Sequence, residues 1–208
     1  MEAEEYGLSQ GGQVGHGAGR DIPYQFRQAG PDRSAELADR MRAQLRTVPN
    51  FPKDGVQFRD IGPVVGSADL FHDCVEWLTL ECAPWGPTHV AAIESRGFIL
   101  GGALALALGV GFVPVRKAGK LPPPTISREY SLEYSAGTLE IGGDAVGQGH
   151  RVVVLDDVLA TGGTAVATCD LIERLGAKVV GCAFLLELVG LGGVQQLGDR
   201  TMARLLAL

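Results

Sequence analysis

Three observations predict an α/β fold, a parallel sheet covered by helices on both faces. Strand-length apolar runs alternate with amphipathic helical stretches, the chain is long enough for one sizeable core, and one buried strand runs straight into two acids and a small-residue loop. The chain has 208 residues, 46% hydrophobic and 20% charged, which suits a single globular domain. Lys and Arg total 18 against 24 Asp and Glu, a formal net charge of −6. That balance disfavours nucleic acid or an anionic membrane surface as a partner held through bulk charge.

Residues 1–33 hold seven glycines, few large apolar side chains and no sustained periodicity, so a flexible Gly-rich extension is expected ahead of a domain spanning 34–208. Within it, GHGAG at 15–19 matches half of a dinucleotide fingerprint but has no strand before it and no helix after it. Ser34, Leu37, Met41 and Leu45, at steps of three and four, predict a capped amphipathic helix ending before Pro49. A loop over 49–66 carries FPKDGVQFRDIGPVV, and a helix near 68–82 repeats the apolar spacing at Leu70, Cys74, Trp77 and Leu78.

Strands and helices then alternate. Residues 89–93 form a short apolar strand. The stretch 98–115 is 18 residues without a charge, at the lower limit for a bilayer span. Gly109, Gly111 and Pro114 divide it, so it reads as a buried helix over 98–108 and a core strand near 112–115, with no membrane association. There follow a Pro-rich loop at 121–125, a hairpin region around 130–141, a strand at 152–155, a helix at 164–175 and a strand at 179–186. Cys74, Cys82, Cys169 and Cys182 are scattered, without a C-x-x-C pair or zinc spacing, and the start MEAEEYGLSQ lacks the basic and apolar regions of a secretory signal. A reducing cytoplasm is the expected location.

The chemistry concentrates in RVVVLDDVLATGGT, 151–164. Ala160, Thr161, Gly162, Gly163 and Thr164 would expose backbone N–H groups and two hydroxyls at a helix N-terminus, a cradle for phosphate. A Walker A loop is excluded by the missing lysine. Asp156 and Asp157 sit just ahead of the cradle, where a sugar carrying that phosphate would lie, and two carboxylates suit vicinal hydroxyls. Singly, such acids cap turns and paired glycines serve bends; the whole string favours a sugar-phosphate site.

That string resembles the phosphoribosyl pyrophosphate (PRPP) motif of type I phosphoribosyltransferases. Glu94-Ser95-Arg96-Gly97-Phe98, Arg116-Lys117-Ala118-Gly119-Lys120-Leu121-Pro122 and Tyr130-Ser131-Leu132-Glu133-Tyr134 resemble the adenine branch of that family, as do Phe58-Arg59-Asp60-Ile61 and Leu186-Glu187-Leu188. The resemblance covers about 34–191 in the family's order. It implies a type I phosphoribosyltransferase fold with a small hood, built from the loop around Phe58 and the strand 179–188. It implies transfer of ribose 5-phosphate from PRPP to adenine with Mg²⁺, giving AMP and pyrophosphate in purine salvage, by a homodimer.

Site roles follow from the same resemblance. Asp156 and Asp157 hold the ribose hydroxyls, and Ala160, Thr161, Gly162, Gly163 and Thr164 hold the 5-phosphate. Ser95, Arg96, Arg116, Lys117 and Lys120 face pyrophosphate. Phe58, Arg59 and Leu188 form the adenine pocket, Glu133 takes the base proton, and Tyr134 belongs to the closing loop. Mg²⁺ is held mainly by substrate and water rather than by direct side-chain ligation. On the residues alone, Arg116 and Lys117 equally suit a solvated basic loop, Ser95 an N-cap, and Phe58 and Leu188 a core. The chain departs from the family pattern at Gln57, at Ala118 and in the charged approach Ser127-Arg128-Glu129-Tyr130. A transferase for another base shares the PRPP string, and a non-catalytic regulator could keep the fold; Tyr130 to Tyr134 argue against the first, Glu133 and the acidic charge against the second.

Overall fold

In a computed structural model the chain is described over residues 31–132 and 135–208. Helix α1 (Pro31–Gln44) opens it, with Pro31 at a first-turn position that needs no N–H donor. Ser34 therefore lies inside the helix and does not cap it, and the expected extension loses its last three residues to α1; residues 1–30 lie outside the described residues. Strands β1 (Arg46–Pro49) and β2 (Gln57–Asp60) form a separate antiparallel ribbon in what the sequence reads as a helix end and a loop. The short helix α2 (Gly62–Gly66) and helix α3 (Ala68–Cys82) follow, then β3 (His89–Ile93), α4 (Arg96–Leu108) and β4 (Gly111–Lys117).

The chain continues through the hairpin β5 (Thr125–Leu132) and β6 (Ser135–Gly142), then β7 (Arg151–Leu159), α5 (Gly163–Arg174), β8 (Lys178–Glu187), α6 (Gly193–Leu197) and β9 (Met202–Ala207). The main sheet has the order β5-β6-β4-β3-β7-β8-β9. Its five strands from β4 to β9 are parallel, while the β5–β6 hairpin adds antiparallel strands at one edge, so the sheet is mixed rather than wholly parallel.

Alternate residues of the central strands face two separate cores. Val90, Ala92, Val153, Leu155 and Leu185 pack against Leu37, Met41, Leu78, Leu100 and Leu104 of α1, α3 and α4. Ala91, Val115, Val152, Val154 and Phe184 pack against Cys169, Leu171 and Ile172 of α5 and Leu197 of α6. Gly101 lets α4 close onto the sheet, because a Cβ there would lie 2.4 Å from that of Ala92.

The expected hood is corrected on one point. Residues Cys182 through Leu186 are all buried, and β8 lies between β7 and β9 in the main sheet. A run buried on both faces belongs to the centre of a sheet, not to a cap over it. Among the described residues, the β1–β2 ribbon alone stands apart from that sheet.

From β3 the chain moves outward through α4 to β4, and after the hairpin it returns as β7 on the other side of β3. Because α4 and α5 lie on opposite faces, a crevice opens at the carboxyl ends of β3 and β7, the point where ligands bind in open α/β sheets.

Candidate active site

At the end of β7 the strand runs on to Leu159, so Asp156 and Asp157 are strand residues and not the first loop residues. The Asp157 side chain is 4% exposed, and Arg96 Nε lies 2.7 Å from its Oδ2. The Asp157 N–H donates to Asp156 Oδ1 at 2.9 Å. Burial pushes both carboxyl groups above their ordinary range, Asp156 well above because the neighbouring charge of Asp157 adds to it, while Arg96 opposes the shift in both. Gly97 allows this approach: a Cβ there would sit 2.9 Å from Asp156 Oδ1. Neither acid caps α5, whose N-cap is Gly162 without a side-chain bond.

Ala160 to Gly162 turn the chain from β7 into α5, and Gly163 and Thr164 are the first residues of that helix. The free N–H groups of its first turn face the carboxyl end of the sheet, as helix geometry requires. Gly162 has φ +85, and a Cβ there would lie 2.9 Å from the Gly193 carbonyl oxygen. Gly193 in turn approaches the Ala160 carbonyl, where a Cβ would come within 2.4 Å. The short helix α6 thus buttresses the loop, a role that only tertiary contact reveals.

On the opposite wall, Ser95 occupies the N-cap position of α4 with φ 76 and ψ −115, but its side chain makes no capping bond. A serine in that region is strained, and such strain gathers at ligand-binding turns. Arg96 begins α4, and Arg116 and Lys117 end β4. Glu94 joins this wall together: Lys120 Nζ lies 3.1 Å from its Oε1 and Arg116 Nε 3.5 Å from its Oε2. Burial would raise the Glu94 carboxyl, but bonds from Lys120 and the Lys117 N–H, with the charges of Lys120 and Arg116, hold it below its usual range.

The ribbon supplies the third wall. Phe58 is half-buried, with the Arg96 guanidinium carbon 4.7 Å from its ring centroid and Phe51 edge-on at 5.0 Å. Arg59 donates to Thr47 Oγ1 across the ribbon. Asp60 accepts the Gly62 N–H at 2.8 Å and Arg46 Nε at 3.0 Å, which together lower its carboxyl. Leu188, half-buried, donates its N–H to the Leu159 carbonyl at 2.9 Å and so sits beside the start of the phosphate loop.

Arg96 therefore touches both the acid of β7 and the aromatic ring of β2. Glu133 and Tyr134 lie outside the described residues, between the paired strand ends Leu132 and Ser135. Sequence reasoning missed Glu94 and Phe51 as wall residues and Thr47 as the tether of Arg59. A signal existed for Phe51 and Thr47 in their nearness to the Phe58 motif, but the pairing that joins them needs the ribbon. Among the described residues, one His-Asp-Glu group, His72, Asp73 and Glu76, could hold a cation; it lies on α3, which carries none of these site residues, and Asp73 is paired with Arg40 at 2.6 Å. No helix of the described residues is long and apolar enough to cross a membrane.

A family profile described as Phosphoribosyl transferase domain matches residues 67–192. An adenine phosphoribosyltransferase of Kineococcus radiotolerans is 50% identical over 175 residues, covering 84% of this chain and 94% of that protein. The chain belongs to the adenine phosphoribosyltransferase family. Its fold agrees with that membership. The crystal structure of adenine phosphoribosyltransferase from Thermoanaerobacter pseudethanolicus superposes with a TM-score of 0.80 at 45% identity, covering 82% of this chain and 99% of that one. The Saccharomyces cerevisiae enzyme, crystallised with an imino-altritol bisphosphate and adenine, gives a TM-score of 0.78 at 38% identity, covering 82% and 99%.

Proposed function

We infer that this chain is a purine salvage enzyme that transfers ribose 5-phosphate from PRPP to adenine, forming AMP and releasing pyrophosphate. One observation supports this reading above the others: Arg96 joins Asp157, the buried member of the β7 acid pair that suits a sugar, to Phe58 on the ribbon, which suits a flat base. A sugar phosphate seated on the Ala160–Thr164 loop would place its anomeric carbon between these two groups. Asp156 and Asp157 accept the ribose hydroxyls, and the first-turn N–H groups of α5 receive the 5-phosphate. Ser95, Arg96, Arg116, Lys117 and Lys120 face the leaving pyrophosphate, whose negative charge their cations balance. Phe58, Arg59 and Leu188 hold adenine, and Tyr134 helps to close the site.

The reaction breaks the bond from the anomeric carbon to pyrophosphate oxygen and forms one from that carbon to a ring nitrogen of adenine. The nitrogen must lose its proton, and Glu133 is the acceptor. The donor set suits a hard cation held mostly by substrate: Asp157 Oδ2 is buried without an aligned hydrogen-bond donor, and Asp156 adjoins it. Asp156 and Asp157 would hold Mg²⁺ through water and the ribose hydroxyls, where it supplies charge neutralisation for the leaving group.

The enzyme acts as a homodimer in the cytoplasm. Ile99 and Leu106 of α4, 46% and 65% exposed, and Phe112 of β4, 38% exposed, offer a second copy an apolar face. The Gly-rich residues 1–30 lie outside the catalytic domain and are dispensable for its chemistry. The deciding experiment supplies purified protein with PRPP, Mg²⁺ and each free base in turn. AMP formation with adenine, and little product with hypoxanthine, guanine, xanthine or orotate, is expected; preference for another base would overturn the assignment.

A further inference from the structure

The turn after β4 is built around one buried carboxylate. Glu140, on β6, is 6% exposed and pairs opposite Arg116 in the β4–β6 register. Its Oε1 accepts the N–H groups of Lys120 and Leu121, each at 2.8 Å. At the same residue, Arg116 Nη1 donates to the Lys120 carbonyl at 3.0 Å, so the backbone of Lys120 is gripped at both its N–H and its C=O.

Burying a carboxylate is unfavourable unless its oxygens find donors. Burial pushes the Glu140 carboxyl up, but the N–H groups of Leu121, Gly119 and Lys120 outweigh it and keep the group ionised. Leu139 and Ile141, one step away on the strand, face the apolar core, whereas Glu140 faces the other way, toward the 117–121 turn. What the acid adds is a fixed path for a turn containing Gly119 at φ 83 and two exposed lysines, one of which reaches Glu94.

We propose that Glu140 is a positioning residue for the pyrophosphate subsite, holding the 117–121 turn so that Lys117 and Lys120 meet the leaving group already ordered. Glu140 itself touches no substrate. A turn ordered in advance loses less conformational freedom when the anion binds, which strengthens binding of PRPP and pyrophosphate selectively. The inference rests on the phosphoribosyl-transfer reading above.

The test compares wild type with Glu140→Gln and Glu140→Leu in both directions, from PRPP with adenine and from AMP with pyrophosphate, and follows amide hydrogen exchange over 117–121. Gln keeps the size and one acceptor but loses the charge that makes such bonds about twice as strong. Glu140→Gln is expected to raise KM for PRPP and pyrophosphate about tenfold, to leave KM for adenine within about twofold, and to speed exchange at Lys120 and Leu121. Glu140→Leu goes further in the same direction. If it fails to fold, the Gln variant decides alone. Thr79→Val on α3, which removes a buried hydroxyl bonded to the Val75 carbonyl at 2.7 Å, serves as the stability control and leaves these KM values unchanged. An equal rise for adenine and pyrophosphate, or an unchanged KM for pyrophosphate in both variants, overturns the role of Glu140. A wild type inert toward PRPP with every base would instead refute the transferase reading.

Discussion

Asp157 sits on the central part of a seven-stranded sheet with its side chain 4% exposed, whereas Phe58 and Arg59 lie half-buried on a two-stranded ribbon. The first is held by packing from both faces of the sheet. The second is held by surface pairs, Arg46 with Asp60 and Arg59 with Thr47. A two-stranded ribbon is marginal by itself, so its geometry depends on those few bonds. The contrast separates two tasks. On the proposed assignment, recognition of the sugar phosphate is built into the core and resists change, while recognition of the base rests on a few side-chain bonds that can change without unfolding the chain. Arg96 touches both regions, through Asp157 and Phe58.

The largest expected effect is on the chemical step that the two regions serve together. Glu133→Gln keeps shape but removes basicity, and turnover is expected to fall by roughly 10²- to 10⁴-fold, the usual worth of a general base. PRPP binding, which the proposal seats on β7 and α5, is expected to persist. Single-turnover rates and calorimetric PRPP titration check both halves; turnover within threefold of wild type across pH would remove Glu133 from the mechanism.

Gly162→Ala tests how far the core region tolerates change. A side chain there must adopt φ near +85 and meet the Gly193 carbonyl at 2.9 Å. The strain is on the order of 1–3 kcal/mol, appearing as a lower Tm together with weaker PRPP binding. Normal PRPP affinity in this variant would show that the loop is less rigid than the contacts with α6 require.

The smallest effect comes from the amino end of the same sheet. The His89 and His150 rings lie tilted against each other with centroids 4.4 Å apart, and burial, then the charge of His150, holds His89 below its ordinary value. The fold prefers the neutral ring, so the unfolded chain binds more protons. Stability is fully present above the unfolded value of about 6.5 and declines as pH falls through it. Thermal melts from pH 7.5 to 5.5 should show this slope, and His89→Gln should flatten it while leaving adenine kinetics at pH 7.5 unchanged.

The β7 region was legible in the sequence because its signal is local: an apolar run, two acids and a small-residue loop lie within fourteen consecutive residues. The ribbon was not, since β1 is only four residues, Arg46–Pro49, and acquires its meaning by pairing with β2 across a turn. Strand β9, Met202–Ala207, also escaped notice, being a short edge strand whose partner β8 supplies the pattern. The placement of 179–188 in a hood failed for the opposite reason. Its apolar run states burial on both faces, and that outweighs a family expectation about its end residue Leu188. The grip of Glu140 on residues 120 and 121 spans about twenty positions, so no window along the chain contains it.

The separation of tasks is tested most directly by bisubstrate kinetics on two variants side by side, Asp157→Asn and Thr47→Val. Asp157→Asn places an amide where a ribose hydroxyl needs an acceptor and leaves Arg96 without its counter-charge; KM for PRPP is expected to rise at least tenfold. Thr47→Val frees Arg59 on the ribbon, and KM for adenine is expected to rise about three- to tenfold with KM for PRPP unchanged. Crossed effects, with Thr47→Val weakening PRPP as much as adenine or Asp157→Asn sparing PRPP, would contradict a sugar site in the core and a base site on the ribbon.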